Sequence, residues 1–263
     1  MDTVASRDGT TIAYDKQGAG PALILVDGAL SVHSSGGKSE LAKLLAPQFT
    51  VYGYDRRGRG GSGDTLPYAV DREIDDIEAL IDHAGGQAFL YGHSSGGTLA
   101  MHAAVGLGGK VSKLAIYEAP HNDDPDAQDA WSQYLRQLRD LLADGRRGDA
   151  VALFMRFVGT PADQVEGMRQ APFWPGMEAV APTLAYDHAE IIGEPFATPT
   201  ELARRVSVPA LVISGDAGIP FMPVTASALS EAMPRGRLRM LEGQTHEVNP
   251  RVLAPVLAEF FAS

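Results

Sequence analysis

The 263-residue chain contains no cysteine. That excludes disulfides, thiolate nucleophiles and zinc–thiolate centres. Basic residues are also few: 22 Lys and Arg stand against 33 Asp and Glu, a formal charge of −11. Such an acid surplus argues against a nucleic-acid partner, which demands basic patches, and against an anionic membrane surface. The sequence has no run of about 18 apolar residues, the length a spanning helix needs. Met1-Asp2-Thr3 is polar and acidic, without the basic start and apolar run of a secretion signal. The expectation is a cytoplasmic protein that acts on a small molecule.

What the chain does contain is a rhythm. Val4-Ala5-Ser6 and Thr10 to Tyr14 flank Asp8-Gly9, a hairpin signal. Apolar strand patterns follow at 22–26, 51–54, 88–91, 111–117, 209–213 and 238–241. Helical patterns lie between them, at 41–46, 70–84, 96–107, 225–233 and 252–261. Alternating strands and helices predict βαβ units and a mostly parallel sheet. The rhythm breaks at 121–205, where helical patterns and Pro-rich turns occur without a convincing strand. The expected organisation is a core of residues 1–120 and 206–263, with a helical cap at 121–205.

The most informative stretch is Tyr91-Gly92-His93-Ser94-Ser95-Gly96-Gly97. It fits G-x-S-x-G between a predicted strand and a predicted helix. On such a turn the Ser94 hydroxyl is lifted over the sheet edge, and the helix N-terminus faces it. Serine needs a base. His246 follows the last strand, on the same predicted edge, and the order Ser…His suits this arrangement. His83 and His102 read as helix-face residues, and His93 is expected to point away from Ser94. His33 is placed at the border of the pocket. An oxyanion hole needs two backbone donors; the amides of Ser95 and of Ala29, after Asp27-Gly28, are nominated. Gly58-Arg59-Gly60-Gly61-Ser62-Gly63 matches a dinucleotide fingerprint by pattern, but Asp64-Thr65-Leu66-Pro67 follows where a helix would have to start, so it reads as a structural loop. His121-Asn122-Asp123-Asp124 reads as a solvated acidic loop rather than a metal site.

These features together resemble the α/β-hydrolase family. The elbow Gly92 to Gly96, the Asp27-Gly28 turn and His246 carry the resemblance. So does Tyr54-Asp55-Arg56-Arg57-Gly58-Arg59-Gly60-Gly61-Ser62, which is similar to the family's D-x-R-G-x-G-x-S loop. The resemblance implies an eight-stranded, mostly parallel sheet flanked by helices, with a helical cap insertion. It implies no metal and no organic cofactor. The family usually carries His where Asp27 stands here. Its triad acid usually follows the strand at 210–213, three residues after a Gly; that slot is Gly218, and Asp216 sits two residues early. The alternative acid is Glu118, at the end of the strand after the elbow helix. Glu118 is favoured and Asp216 is kept as the alternative.

The implied activity is hydrolysis of a small to medium apolar ester or lactone through an acyl-enzyme. His33, Met155, Phe173, Trp174, Met177 and Phe221 are expected to line the pocket. The chain length, the Asp-Gly turn, the Ser-Ser elbow and Glu118 also resemble the zearalenone lactonases. C–C bond hydrolases and cofactor-free perhydrolases or haloperoxidases run on the same residues, and a non-catalytic ligand-binding protein of this fold is the remaining alternative.

Overall fold

The computed structural model describes residues 1–33 and 37–263. Among them, eight strands form one sheet: β1 (Asp2–Ala5), β2 (Thr11–Gln17), β3 (Ala22–Val26), β4 (Thr50–Tyr54), β5 (Ala88–His93), β6 (Val111–Tyr117), β7 (Ala210–Gly215) and β8 (Gly236–Leu241). Their order is β1-β2-β4-β3-β5-β6-β7-β8. The β1–β2 hairpin turns at Asp8-Gly9, with Gly9 at φ 83°, a conformation glycine adopts without strain. β2 also runs antiparallel to β4, and every later pairing is parallel. Buried strands of this kind read as continuous apolar runs; all five residues of β3, Ala-Leu-Ile-Leu-Val, are buried.

The first helices are α1 (Gly37–Leu45), α2 (Val70–His83) and α3 (Ser95–Leu107). Between β6 and β7 lie α4 (Pro125–Ala143), α5 (Arg147–Phe157), α6 (Ala162–Arg169), α7 (Trp174–Val180) and α8 (Thr200–Arg204), with a π-helical segment at Tyr186–Ile192. The last two are α9 (Phe221–Ala232) and α10 (Pro250–Ala262). One face of the sheet packs on α2, α3 and α9, through residues such as Ile24, Leu90, Ile77, Leu80, Leu99 and Leu229. The other packs on α1 and α10, through Leu23, Leu41, Leu45, Leu253 and Leu257. Each such leucine contributes roughly 1.5–3 kcal/mol of burial.

α3 has an unusual composition for a core helix: Gly96, Gly97, Ala100, Ala103 and Ala104 are all buried. The small residues let it lie against β5 and β6. The stretch between β6 and β7 builds two clusters of its own, around Trp131, Tyr134 and Leu138, and around Val151, Val165 and Trp174. Ile191, Ala203 and Val206 instead join the core beneath the sheet. The carboxyl ends of β3, β5, β6 and β7 lie side by side, the edge at which open α/β sheets bind ligands.

Candidate active site

Ser94 sits on the sharp turn from β5 into α3, at φ 57° and ψ −131°. A non-glycine residue with positive φ costs about 1–2 kcal/mol, and such strain persists only where the surroundings over-determine it. Here they do. A Cβ on Gly92 would lie 2.4 Å from the Gly96 carbonyl oxygen, and one on Gly96 would lie 2.3 Å from that of Val26. The Ser94 amide donates to Tyr117 O (2.9 Å), and the Gly97 amide donates to Ser94 O (2.8 Å). Ser94 is half-buried, and the N-terminus of α3 begins at the next residue.

Glu118 directly follows β6. Its side chain is fully buried, and three donors converge on it. Oε1 accepts from the Gly215 amide (2.9 Å) and the Ser214 hydroxyl (3.1 Å). Oε2 lies 2.8 Å from His246 Nδ1. A carboxylate only accepts, so Nδ1 carries the proton and Nε2 is left with its lone pair. The loop bearing His246 is tied down twice: Tyr117 Oη donates to Thr245 O (2.6 Å), and His93 Nε2 donates to His246 O (3.0 Å). His93 therefore points away from Ser94 and stacks near His246, ring centroids 4.8 Å apart.

Asp216 is exposed and accepts from the Gly243 amide (2.7 Å). The slot at Gly218 is closed from above: a Cβ there would lie 3.2 Å from Thr245 Cα and 3.3 Å from His246 N. His33 is not at a pocket border. Its Nε2 pairs with Asp15 (2.9 Å) and its ring covers Gly53, because the bare glycine leaves room on the sheet beside β2.

The pocket residues expected from composition divide. Phe173 is more than half exposed. Trp174 is 3 % exposed, packs inside the helical stretch with Val151, Ala152 and Val165, and donates its indole N–H to Glu178 (2.8 Å). Met155 and Met177 pack against that same cluster. These residues serve the stretch's own core, because three short helices must bury something among themselves. Phe221 instead joins Ala29, Leu30 and Phe154 around the cluster of Trp131 and Tyr134. Leu30 was not anticipated, and it carries a positive φ of 56° that nothing in its letter reveals. His188 sits in the same cluster, with the Tyr134 hydroxyl 2.7 Å from its Nδ1; burial pushes its pKa down to about 4. Asp123 and Asp124 hold backbone, the first at Thr198 and the second at the start of α4.

The largest feature missed by sequence reasoning is a buried ionic network. Arg56 makes a two-pronged pair with Glu73 (2.6 and 2.7 Å), and Arg57 makes one with Asp76 (2.6 and 2.8 Å). Arg56 and Arg59 both reach Asp187 in the π-helical segment. Burial pushes the Asp187 carboxyl up, but the two guanidinium groups outweigh it and hold its pKa at about 2. Asp187 also accepts from the Ser95 hydroxyl (2.7 Å). Arg56 donates to Asp27 O (3.1 Å) and Arg59 to Gly28 O (2.6 Å). The available signal was the unusual density of arginines in Asp55-Arg56-Arg57-Gly58-Arg59, with acids on the buried side of α2.

Against known proteins, a model of the "Alpha/beta hydrolase family" matches residues 29–257. The crystal structure of an alpha/beta hydrolase from Sphaerobacter thermophilus is 50 % identical, covers 99 % of this chain and 100 % of its own, and superposes with a TM-score of 0.85. The proline iminopeptidase PfmaB of Pestalotiopsis fici is 22 % identical over 92 % of each chain. A match to the lipase LipV of Mycobacterium tuberculosis is 32 % identical, but spans only 27 % of this chain and 28 % of that one. Among the described residues, no helix is long and apolar enough to cross a membrane.

Proposed function

The chain belongs to the alpha/beta hydrolase family, and on that premise we propose that it is a serine hydrolase of carboxylic esters or lactones. Ser94 Oγ attacks the carbonyl carbon, and His246 Nε2 takes its proton. Glu118 holds the imidazole in the tautomer this requires and balances the imidazolium that forms. The Ser95 and Ala29 amides bind the oxyanion. The tetrahedral adduct collapses to an acyl-enzyme, and His246 returns the proton to the leaving alkoxide. Water, deprotonated by the same nitrogen, then releases the acid.

One observation carries the reading: a strained serine at φ 57° stands on the same sheet edge as a histidine whose Nδ1 is 2.8 Å from a buried carboxylate. Strain of this kind points to function when its surroundings enforce it. The substrate class rests on the apolar groups that pack on the same cluster as Ala29, namely Leu30, Phe154 and Phe221, which suit a small to medium hydrocarbon acyl or alkyl group. The lipase and iminopeptidase names among its relatives both describe acyl transfer to water.

The test is a panel of p-nitrophenyl esters and simple lactones graded by acyl size, run beside Ser94→Ala and a fluorophosphonate probe. Turnover of the panel, with label on Ser94 alone, is the expected result. Unlabelled Ser94 together with undiminished turnover by the alanine variant overturns it.

A further inference from the structure

We propose that Asp187 is a positioning residue that fixes both halves of the oxyanion hole from within the helical stretch between β6 and β7; this rests on the hydrolase reading above. Both oxygens of its buried carboxylate are engaged. Oδ1 accepts from the Ser95 hydroxyl (2.7 Å) and from Arg56 Nη1 (2.6 Å), and Oδ2 accepts from Arg59 Nη2.

The first half of the hole is held directly. Ser95 opens α3, and its amide belongs to the peptide that follows the strained Ser94. Anchoring Oγ of Ser95 limits rotation of that residue and so the aim of its N–H. The second half is held through Arg59. Its Nη1 donates to Gly28 O (2.6 Å) while its Nη2 holds Asp187. Gly28 C=O and Ala29 N–H share one planar peptide and point in opposite directions. Fixing the carbonyl on one side therefore aims the amide on the other, toward the side on which Gly28 Cα faces Ser94: a Cβ on Gly28 would lie 2.9 Å from Ser94 Cβ. Arg56 repeats the device one peptide earlier, at Asp27 O (3.1 Å).

Charge explains why a carboxylate is used. Arg56 and Arg59 are both buried, and Glu73 balances only one of them. Asp187 supplies the second negative charge at the point where the two guanidinium groups and the elbow meet. An arginine fork suits the task, because one planar group holds a carboxylate and a carbonyl in fixed relation. The acid comes from a segment more than 120 residues from its arginine partners, so the hole is complete only when that segment is docked.

The deciding variant is Ser95→Ala, which keeps the amide and leaves Oδ1 of Asp187 paired with Arg56. Loss of a donor outright costs ~10²–10³ in turnover, so loosening one warrants a loss of about 10-fold in kcat. The KM of the best p-nitrophenyl ester should stay within about twofold, and a trifluoromethyl ketone, whose hemiketal with Ser94 Oγ places an oxyanion in the hole, should bind weaker by the same factor as kcat. Asp187→Asn should lose more, ~10²-fold; if it fails to fold, Ser95→Ala decides alone. A merely structural tie would lower the melting temperature and leave kcat and ketone affinity unchanged, and that result overturns the proposal. A wild-type protein that neither turns over esters nor takes the fluorophosphonate label removes the hydrolase reading together with this one, whereas a labelled wild type matched by an equally fast Ser95→Ala removes this one only.

Discussion

The ends of β6 and β7 are neighbours in the sheet, with Tyr117 paired to Ile213, and each is followed by a carboxylate. They differ in everything that decides whether a carboxylate can orient a histidine. Glu118 leaves its strand at φ 48°, its amide donates to Ile213 O (3.1 Å), and its buried oxygens are met by Ser214, Gly215 and His246. Asp216 stands in water between Gly215 and Ala217-Gly218, with one backbone amide on it. The backbone strain at Glu118, of order 1–2 kcal/mol, is offset by bonds that only this conformation allows. A side chain that must hold an imidazole to within tenths of an ångström is found where the backbone is over-constrained. A neighbouring site two residues along a glycine-rich turn does not meet that requirement.

On the proposed mechanism the contrast has a floor, the activity left when Ser94 is removed. Ser94→Ala should lower kcat by on the order of 10⁴–10⁶ while the protein stays folded by circular dichroism; a smaller loss would mean the chemistry runs elsewhere. Next comes the acid itself. Glu118→Gln keeps the shape but presents an amide to Nδ1, favouring the wrong tautomer, and the comparable change in a serine protease costs ~10⁴. Adding Asp216→Asn to that variant should change nothing more, because Asp216 has no part to take over; a further large fall in the double variant would break the comparison.

The sequence-derived pocket offers a third test. Trp174→Ala should lower stability by about 3 kcal/mol in urea titrations, the scale for truncating a buried aromatic residue, and leave the ranking of esters by size intact. Phe154→Ala should alter that ranking.

The buried character of the β6 end also has a pH signature. His121, three residues past Glu118, is fully buried with Thr98 Oγ1 2.8 Å from its Nε2, and burial lowers its pKa to about 4. His188 is lowered to about 4 as well. Unfolded histidine titrates near ~6.5, so between there and about 4 the unfolded chain binds protons that the folded chain does not. Stability should therefore fall as pH drops through that window, by up to ~1.4 kcal/mol per pH unit for each group. Melting curves at pH 7 and pH 5 check the sign, and His121→Gln should reduce the difference while leaving the His188 share in place. Asp187, held at about 2, adds its loss only below the usual carboxylate range. The smallest effect belongs to Asp216→Asn alone, which should keep activity within about threefold.

Much of this was readable from local pattern. Inner strands such as β3 and β7 were legible because each is a nearly continuous apolar run, and the place of Ser94 on a strand-to-helix turn was legible because glycine stands on both sides of it. Glu118 and His246 could be placed on one edge because each follows a strand. Helix starts were less legible: α4 begins at Pro125, capped by Asp124, where the apolar spacing alone points to Trp131, and α9 begins at Phe221 rather than Thr225. The Arg56–Arg59–Asp187 network was invisible for a different reason. Its partners lie about 130 residues apart, and no periodicity links them. The burial of individual rings was not legible because composition says how apolar a helix is and not which way each ring faces; Phe173 and Trp174 are adjacent in sequence, yet one is at the surface and the other buried.

The crowding at the elbow has a consequence for how this protein can vary. Gly92 is pressed on the Gly96 carbonyl, Gly96 on the backbone of Val26 and Asp27, and Gly28 on Ser94 itself. A single methyl group at any of the three would meet neighbouring atoms at under 3 Å, most of them backbone that has nowhere to retreat. Ser94, held among them, is only half-buried. If Ser94 is the nucleophile, a change of reaction is admissible by exchanging one side chain with the surrounding main chain inherited unaltered, while a change of substrate falls to residues away from the elbow, such as Leu30, Phe154 and Phe221. The two kinds of novelty fall on different residues of the same chain, and a library that randomises the elbow glycines would return mostly unfolded protein.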